Sequence, residues 1–497
     1  MSTSLLHLAK PENLEIKYLL DSYKEINIRG NVSFINPQTG RRNKRMKLRT
    51  FEPKNLYRYT KYCYWFIDRL WQKRIFNQDE YSSNSTYINL SRDSIGLGIP
   101  EDSIDLVKNL LKFLNVIEEN SSYSNRQGKS FAKSYRLTDE YRDSLLSFYE
   151  LKDAGLLAKI SKARDVEVFK MPEHIQFQYW QLTKLNFLKD DALRDLNYAL
   201  SQKIITSTMY NMIYYSILQL SNNYKSFSWE SDWGRLFHPI SNCPRILRPY
   251  LRDENGESMV LVDYSASLPC HFYKFCLDVF SSESEFNFDR DKLKLELDEF
   301  KYLLETSTLY DEVAKMMSLD TDIKEGVNVS RDTAKDLLLR KWLNVKVRGE
   351  TDHTRTINQK FPEMTNIKNQ VRSSEYKKLY RLLMNSESKL VNEIVVKGMM
   401  KELNQPNFYT IHDAFIIDKN NAPKLKEIMQ EEGRKFLGLN IKVKDEILDE
   451  SYYDYQKYRM KKFYDEHYYG DDNLLSFESN IQWFNLVDRI YSNKAND

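Results

Sequence analysis

The sequence predicts a helix-rich α/β protein with two or three domains. At 497 residues, the chain exceeds the roughly 250–300 residues at which a single hydrophobic core stops growing. Its 14 glycines and 12 prolines are few for this length, which favours helices over the turn-rich chains of all-β proteins. A hydrophobic fraction of 41% and a charged fraction of 29% are typical of soluble globular proteins.

Charge and cysteine usage narrow the class of protein. The net charge is only +3, so a surface that binds a polyanion would have to be local. The cysteines lack C-x-x-C spacing, which argues for a reducing compartment and against a structural zinc site. They are Cys63, Cys243, Cys270 and Cys276. With no signal-peptide pattern and no apolar run of membrane-spanning length, we expect a cytoplasmic protein without a membrane partner.

Residues 1–80 predict a helix-poor lead-in followed by one helix. The basic run over 41–49 is typical of a solvated loop, and an arm that contacts phosphates is the alternative. Aromatic and aliphatic residues then recur at helical spacing over Asn55–Phe76, which predicts a helix there.

Residues 81–145 predict a compact unit of short strands and two helices. In order, these are a strand at Tyr87–Leu90, a helix at Ser91–Gly98, an amphipathic helix at Glu101–Leu114, and strands beginning at Val116 and Ser134. The loop between the last two strands is basic, with Arg126, Lys129 and Lys133. The pattern resembles a winged helix-turn-helix domain, whose second helix enters the major groove of DNA while the wing contacts phosphates. Because many winged helices bind protein instead, both kinds of partner stay open.

The remaining domain boundaries follow from where residues with possible catalytic or binding roles, here called chemical signals, begin and end along the chain. Residues 146–227 show apolar helical faces without such a signal, and they predict a helical linker or thumb-like region. Within this segment, Asp191–Leu220 predicts one long helix or two. We assign 228–450 to a further domain and 451–497 to a C-terminal extension.

The first chemical signal is an aspartate at the end of an apolar run. Met259–Val262 predicts a buried strand that ends at Asp263, followed by a turn of small residues and a helix over His271–Phe280. A carboxylate in that position can hold Mg²⁺, a hard ion that prefers oxygen ligands. An ordinary cap of the following helix is the alternative.

The second signal is a basic helix predicted over 330–342. Arg331 and Lys335 are four residues apart and share one face, and Trp342 follows nearly two turns later on the same face. Two cations and an aromatic ring could hold a triphosphate and stack on a base. The alternative is an ordinary solvated basic face.

The third signal is a polar tip on an apolar hairpin. A long helical region over Asn366–Leu403, with Glu387 among its apolar residues, precedes the run 408–418. That run predicts two apolar strands interrupted only by His412 and Asp413. An aspartate in such surroundings is costly to desolvate unless a cation or a partner neutralises it.

In this order, the three signals resemble motifs A, B and C of family-A DNA polymerases and single-subunit phage and mitochondrial RNA polymerases. Asp263, Tyr264 and Ser265 look like the Asp-Tyr-Ser of the DNA enzymes, whereas His-Asp-Ala-Phe over 412–415 looks more like the RNA enzymes. Arg235, which follows a glycine, resembles the glycine-arginine element upstream of motif A. The resemblance covers residues 228–450, and it implies a right-hand polymerase with palm, fingers and thumb.

For the chemistry, the resemblance implies template-directed nucleotidyl transfer with two Mg²⁺ ions held by Asp263 and Asp413. In the family mechanism, one ion activates the 3′-hydroxyl of the primer and the other stabilises the leaving pyrophosphate. Lys335 and Arg331 would neutralise the nucleoside triphosphate, and Trp342 would stack on its base.

Two further residues connect the implied enzyme to its nucleic acid. Arg235 would hold the backbone of the DNA template or primer, and His412 would contact the primer terminus. The implied partners are therefore DNA and nucleoside triphosphates, in a polymerase of a phage, plasmid or other mobile element.

The sequence departs from the family where the sugar is read. Ala266, Ser267 and Leu268 stand where the DNA enzymes carry Gln-Ile-Glu, whose Glu excludes the 2′-hydroxyl. Leu343 and Asn344 replace the usual Tyr-Gly that ends motif B. Whether the product is DNA or RNA therefore stays open. The alternative function is a DNA-binding replication initiator or transcription regulator with an inactive polymerase-like half.

Overall fold

A computed structural model describes most of the chain. The described residues are 6–35, 42–76, 87–120, 133–201, 203, 205–223, 225–282, 286–318, 331–343, 352–375 and 377–449. Within these ranges, no helix combines the length and the apolar character needed to cross a membrane. Arg126, Lys129 and the predicted extension over 451–497 lie outside the described residues.

The strands are short apart from one ten-residue pair. They are β1 (Leu6–Pro11), β2 (Ile26–Ile35), β3 (Arg42–Phe51), β4 (Ile88–Asn89), β5 (Ile117–Asn120), β6 (Ser134–Leu137), β7 (Leu146–Leu151), β8 (Asn186–Phe187), β9 (Ser228–Glu230), β10 (Arg235–Phe237), β11 (Leu251–Arg252), β12 (Val260–Tyr264), β13 (Phe408–Ile411), β14 (Ala414–Ile417) and β15 (Val443–Ile447).

Helices make up most of the regular structure. They are α1 (Ile16–Asp21), α2 (Pro53–Leu56), α3 (Thr60–Phe76), α4 (Arg92–Gly96), α5 (Glu101–Phe113), α6 (Asp139–Arg142), α7 (Ala154–Phe169), α8 (Glu173–Thr183), α9 (Lys189–Ser201), α10 (Ser207–Ser221), α11 (Ser267–Ser281), α12 (Arg290–Glu305), α13 (Leu309–Ser318), α14 (Arg331–Asp336), α15 (Asp352–Lys360), α16 (Pro362–Ser374), α17 (Lys378–Ser388), α18 (Val396–Glu402) and α19 (Ala422–Leu437). Tyr57–Tyr59 and Arg245–Tyr250 form 3₁₀ turns, and Leu337–Leu343 and Lys389–Val395 form π turns.

The chain folds into two compact units. The first unit contains residues 1–170 and 189–225, and the second contains 171–188 and 226–497. Each unit therefore draws on two separate stretches of the chain. The five-part division that the sequence suggests stays a prediction.

The first unit combines small antiparallel sheets with helices. Strand β2 pairs with β3, β1 pairs with β7, and a three-stranded sheet has the order β4-β6-β5. Helix α5 buries its apolar face and packs against β2, where the Asn109 side chain donates a hydrogen bond to the Arg29 carbonyl oxygen at 2.8 Å. The strands and helices predicted over 87–137 are thus present in the predicted order.

The second unit is built around a four-stranded antiparallel sheet with the order β13-β14-β12-β15. In the central strand β12, Val260, Leu261 and Val262 are buried, as the apolar run predicts. Every residue of β13 and β14 is buried too, which confirms the apolar hairpin. Helix α19 packs against β12 and β15 of this sheet and against α11.

Two expectations about secondary structure are wrong. The basic run over 41–49 is not a loop, because Arg42–Phe51 forms strand β3. The segment 146–227 is not wholly helical, because Leu146–Leu151 pairs with β1 as a strand.

Two other expectations agree with the structure. Asp191–Leu220 forms two helices, α9 and α10, which is one of the two alternatives. The region over Asn366–Leu403 is helical over most of its length, and both it and the basic helix contain a π turn.

Candidate active site

The pairing of β12 with β14 brings the two predicted aspartates together. Asp263 is opposite Ala414 in the register, and the amide of Tyr264 donates a hydrogen bond to the Asp413 carbonyl oxygen at 3.4 Å. Paired antiparallel residues have Cα atoms about 4.5–5.5 Å apart, so these acids stand at one end of the sheet on neighbouring strands. The strands that carry them are separated in sequence by most of the second unit.

Both turns next to the aspartates use a strained backbone. His412 and Asp413 form the two-residue loop between Ile411 and Ala414, and His412 has a φ of 54°. Ala266, which precedes α11, has φ 55° and ψ 40°. The left-handed region is unfavourable for residues with a Cβ atom, and strain of this kind is frequent at functional sites.

The two carboxyl groups resist ionisation. Burial, followed by the charge of Asp413, raises the pKa of Asp263 to about 8, against the opposing effects of Lys335 and Arg245. Burial also raises the pKa of Asp413, again opposed by nearby cations. Asp263 Oδ1 is buried without a hydrogen-bond partner among the described residues, and so is Ser265 Oγ. An acid that lacks a partner at this depth is suited to a bound cation.

Glu387 is a third acid of the site, and the sequence signals did not select it. It lies at the end of α17, where the Ser267 hydroxyl donates to Oε2 at 3.2 Å and the Arg235 guanidinium lies 3.4 Å from Oε1. Burial and the charge of Asp413 raise the pKa of Glu387 to about 8, against the effect of Arg235. In the sequence, Glu387 could have been found as a charged residue among the apolar residues of a predicted helix.

A close contact at Gly234 fixes the position of Arg235. Gly234 has a φ of +63°, and a Cβ atom there would lie 2.9 Å from Ser388 Cβ. Its carbonyl oxygen accepts a hydrogen bond from the Asn392 side chain at 3.0 Å. The glycine therefore allows this loop to approach α17 closely, which places Arg235 beside Glu387.

Arg331 and Lys335 share one face, as their spacing predicts. The Arg331 guanidinium and the Lys335 ammonium lie 5.4 Å and 5.9 Å from the centre of the Tyr310 ring. Arg331 Nε also lies 3.3 Å from a carboxylate oxygen of Asp311. The charge of Lys335 opposes the raised pKa of both Asp263 and Asp413, so the basic face and the two acids act on one another.

Trp342 does not share that face. It is fully buried, its indole N–H donates to the Asn358 side-chain oxygen at 2.9 Å, and its ring packs edge-on against Phe272. The prediction assumed 3.6 residues per turn throughout, whereas the π turn over Leu337–Leu343 changes the direction of the side chains. A base-stacking role for Trp342 does not fit this position.

His412 lies on the exposed side of the hairpin tip. The imidazole is nevertheless surrounded by enough protein that desolvation, together with the charges of Arg235 and Arg248, lowers its pKa to about 4. A neutral imidazole can donate or accept one hydrogen bond without adding charge to the acids.

The donors present fit Mg²⁺, which commonly takes one or two carboxylates and completes its shell with water and substrate phosphates. Asp263 and Asp413 supply hard oxygen atoms, and Oδ1 of Asp263 has no partner among the described residues. In the described part of the chain, no group of three or more His, Cys, Asp or Glu side chains is arranged to hold a metal unaided. Water and substrate phosphate oxygens would complete the coordination.

Of the three basic residues predicted for the wing, the structure describes Lys133. Its ammonium group lies 2.9 Å from a carboxylate oxygen of Glu119 on the neighbouring strand. Helix α5, the predicted recognition helix, begins with the acids Glu101 and Asp102. These observations leave DNA binding by residues 81–145 a prediction.

No protein-family model matches this chain, and neither does any curated protein. Among solved structures, the chain is similar to the "POL domain of Pol1 from M. smegmatis complex with DNA primer-template and dNTP". The two share 11% sequence identity with a TM-score of 0.33, and the likeness covers 50% of this chain and 51% of that chain. Because the likeness is this distant, the proposals below rest on the geometry of the site.

Proposed function

We propose that the second unit catalyses template-directed nucleotidyl transfer with Mg²⁺. One observation carries the proposal: Asp263 and Asp413 stand at the end of adjacent antiparallel strands, and a buried oxygen of Asp263 has no partner among the described residues. Two such acids next to a basic helix match the needs of phosphoryl transfer, in which positioning and charge stabilisation supply most of the rate.

Each side of the site has a distinct task in this proposal. Asp263 and Asp413 hold the cation, which supplies activation of the attacking hydroxyl and stabilisation of the leaving group when bound. Lys335 and Arg331 bind the triphosphate oxygens from the basic face. The Arg guanidinium suits a bidentate grip, whereas the Lys ammonium acts as a mobile point charge.

On the other side, Arg235 is placed to hold a nucleic-acid backbone. Glu387 accepts from both Arg235 and Ser267, so that the guanidinium is oriented rather than free to rotate. The neutral His412 at the hairpin tip is placed to contact the terminus of the growing strand. DNA is the proposed template, and whether the product is DNA or RNA stays open.

Primer extension with the purified full-length chain tests the proposal. Labelled primer on a DNA template, Mg²⁺, and either deoxyribonucleotides or ribonucleotides should give elongated product that depends on the template sequence. A promoter-bearing duplex with ribonucleotides covers synthesis without a primer. If neither sugar is incorporated on any of these templates, the protein is not a polymerase, and the alternative of an initiator or regulator gains support.

A further inference from the structure

A tyrosine that belongs to none of the sequence motifs lies against the basic face formed by Arg331 and Lys335. Tyr310, in α13, is only 4% exposed, and its hydroxyl is buried without a hydrogen-bond partner among the described residues. Buried phenol groups usually find a partner, since an unmade hydrogen bond costs about 1–3 kcal/mol. Among the described residues, nothing supplies a hydrogen-bond partner for this hydroxyl, which leaves it available to a ligand.

The ring of Tyr310 supports the basic face. Arg331 and Lys335 lie 5.4 Å and 5.9 Å from its centre, within the roughly 6 Å at which cations are attracted to an aromatic ring. Helix α13 packs directly against α14, which carries both cations. One side chain thus holds two charges that the nucleotide would need.

The charges of Asp263 and Asp413 also act on the phenol of Tyr310. Burial raises the pKa of Tyr310, and the charged groups that act on it include Arg331, Asp413 and Asp263, as well as the Cys270 thiol in the first turn of α11. The phenol is therefore neutral and keeps its proton as a donor. Trp342 and Leu343, the nearest residues to the place where motif B carries an aromatic ring, are both buried.

We propose that Tyr310 contacts the nucleotide: its hydroxyl donates a hydrogen bond to an oxygen of the sugar–triphosphate portion, while its ring positions Arg331 and Lys335. This inference rests on the proposed function. It adds a nucleotide-contacting residue that lies outside the three motifs and that approaches from α13.

Tyr310→Phe tests the proposal because it removes only the hydroxyl and keeps the ring under both cations. The KM for the incoming nucleotide should rise about tenfold, as expected for loss of a hydrogen bond to an oxygen acceptor, with kcat changed far less. Thermal stability should not fall. Tyr302→Phe, on the exposed face of α12, is the matched control and should leave KM unchanged.

Inorganic tripolyphosphate, used as a competitive inhibitor, identifies the accepting oxygen. If the hydroxyl contacts a phosphate, Tyr310→Phe weakens this inhibition by the same factor as it raises KM. If the hydroxyl contacts the sugar, tripolyphosphate inhibits both proteins equally. Each of these outcomes supports a nucleotide contact.

An unchanged nucleotide KM in Tyr310→Phe, with an active parent enzyme, would overturn the inference and leave the proposed function intact. If the parent incorporates nothing, equilibrium titration with a Mg²⁺–nucleoside triphosphate decides the matter. A roughly tenfold weaker Kd in the variant supports the contact, whereas equal Kd values, or no binding by the parent, reject it.

Discussion

The two units hold their acidic side chains in opposite electrostatic surroundings. Around the three-stranded sheet of the first unit, Asp105 lies 2.8 Å from both Lys108 and Arg92, and Glu118 lies 2.8 Å from Arg136. Glu119 contacts both Lys112 and Lys133. In the second unit, Asp263 and Asp413 stand at the ends of adjacent strands, and the charge of Asp413 acts on both Asp263 and Glu387.

The pKa shifts of these acids differ in sign. Hydrogen bonds from Arg136 and Tyr87 lower the pKa of Glu118, and contacts with lysines lower the pKa of Glu119 despite partial burial. Burial and repulsion from Asp413 raise the pKa of Asp263 and Glu387. The acids of the first unit are neutralised by the protein's own cations, and Glu387 pairs with Arg235. In the proposal, Asp263 and Asp413 are neutralised by a cation from solution.

The largest expected effect is loss of synthesis in Asp413→Asn. Removing the charge at nearly constant shape should lower primer extension at least ~10³-fold, because the remaining aspartate cannot hold the cation alone. Folding should persist, with equal or higher thermal stability, since one of two repelling charges is gone. Gel-based extension and a thermal melt measure the two outcomes.

Asp445→Asn is the matched control for that variant. Asp445 lies on β15, opposite Val262 in the same sheet, but its side chain is exposed and pairs with Lys426. It should extend primers at the parent rate. Appreciable synthesis by Asp413→Asn would show that the cation is held elsewhere.

A smaller effect is expected in the pH dependence of stability. A carboxyl with a raised pKa binds its proton more tightly when folded, so its contribution to stability falls as pH rises from about 4 to about 8. In EDTA, the melting temperature of the parent should therefore drop between about pH 5.5 and pH 8 by about 2–4 °C more than that of Asp263→Asn.

Repeating the same melting measurements with Mg²⁺ in place of EDTA tests whether the site binds the ion. Binding to the folded, ionised site should restore much of the lost stability of the parent at pH 8, and little in Asp263→Asn. Parallel pH profiles for the two proteins in EDTA would mean that the acids do not repel each other as the geometry indicates.

The smallest expected effect belongs to the first unit. Glu119→Gln should lower the free energy of unfolding by no more than about 1 kcal/mol, the usual range for partly exposed ion pairs. Extension of a primed template should not change. If Lys133 then contacts a phosphate, the slope of log affinity against log salt for duplex DNA steepens by about one.

Glu101→Gln separates the effect of breaking the Glu119–Lys133 ion pair from the effect of removing one negative charge. Glu101 is an exposed acid in the first turn of α5, so this variant removes the same charge at a distance from Lys133. Equal salt slopes in the two variants would assign no specific role to the lysine, and filter binding at several salt concentrations gives the comparison.

The sequence predicted the parts of the site that local patterns encode. The apolar run before Asp263 predicts one strand, and the apolar flanks of His412 and Asp413 predict two; all three strands are present. Helical spacing likewise placed Arg331 and Lys335 on one face. The pairing that brings Asp263 and Asp413 together joins strands far apart in the sequence, and only the resemblance in motif order suggested it.

The residues that were missed depend on packing between distant segments. Glu387 joins the site because α17 meets the loop at Gly234, and Tyr310 joins it because α13 packs against α14. No periodicity in either segment reports such a contact. Trp342 was misplaced for a different reason, since a π turn is not visible in the spacing of apolar residues.

The place of β12 in its sheet also bears on how the chain is made. Both partner strands, β14 and β15, follow it in sequence by about 150 residues or more, so the pairing has high contact order and is expected to form slowly. At a synthesis rate of roughly 5–20 residues per second, the apolar residues Val260–Val262 leave the ribosome about 10–30 s before either partner exists. During that interval the nascent chain carries an unpaired apolar strand, the kind of segment that associates with other chains or recruits a chaperone. The strand is covered on both edges once β14 and β15 have been synthesised and have paired with it.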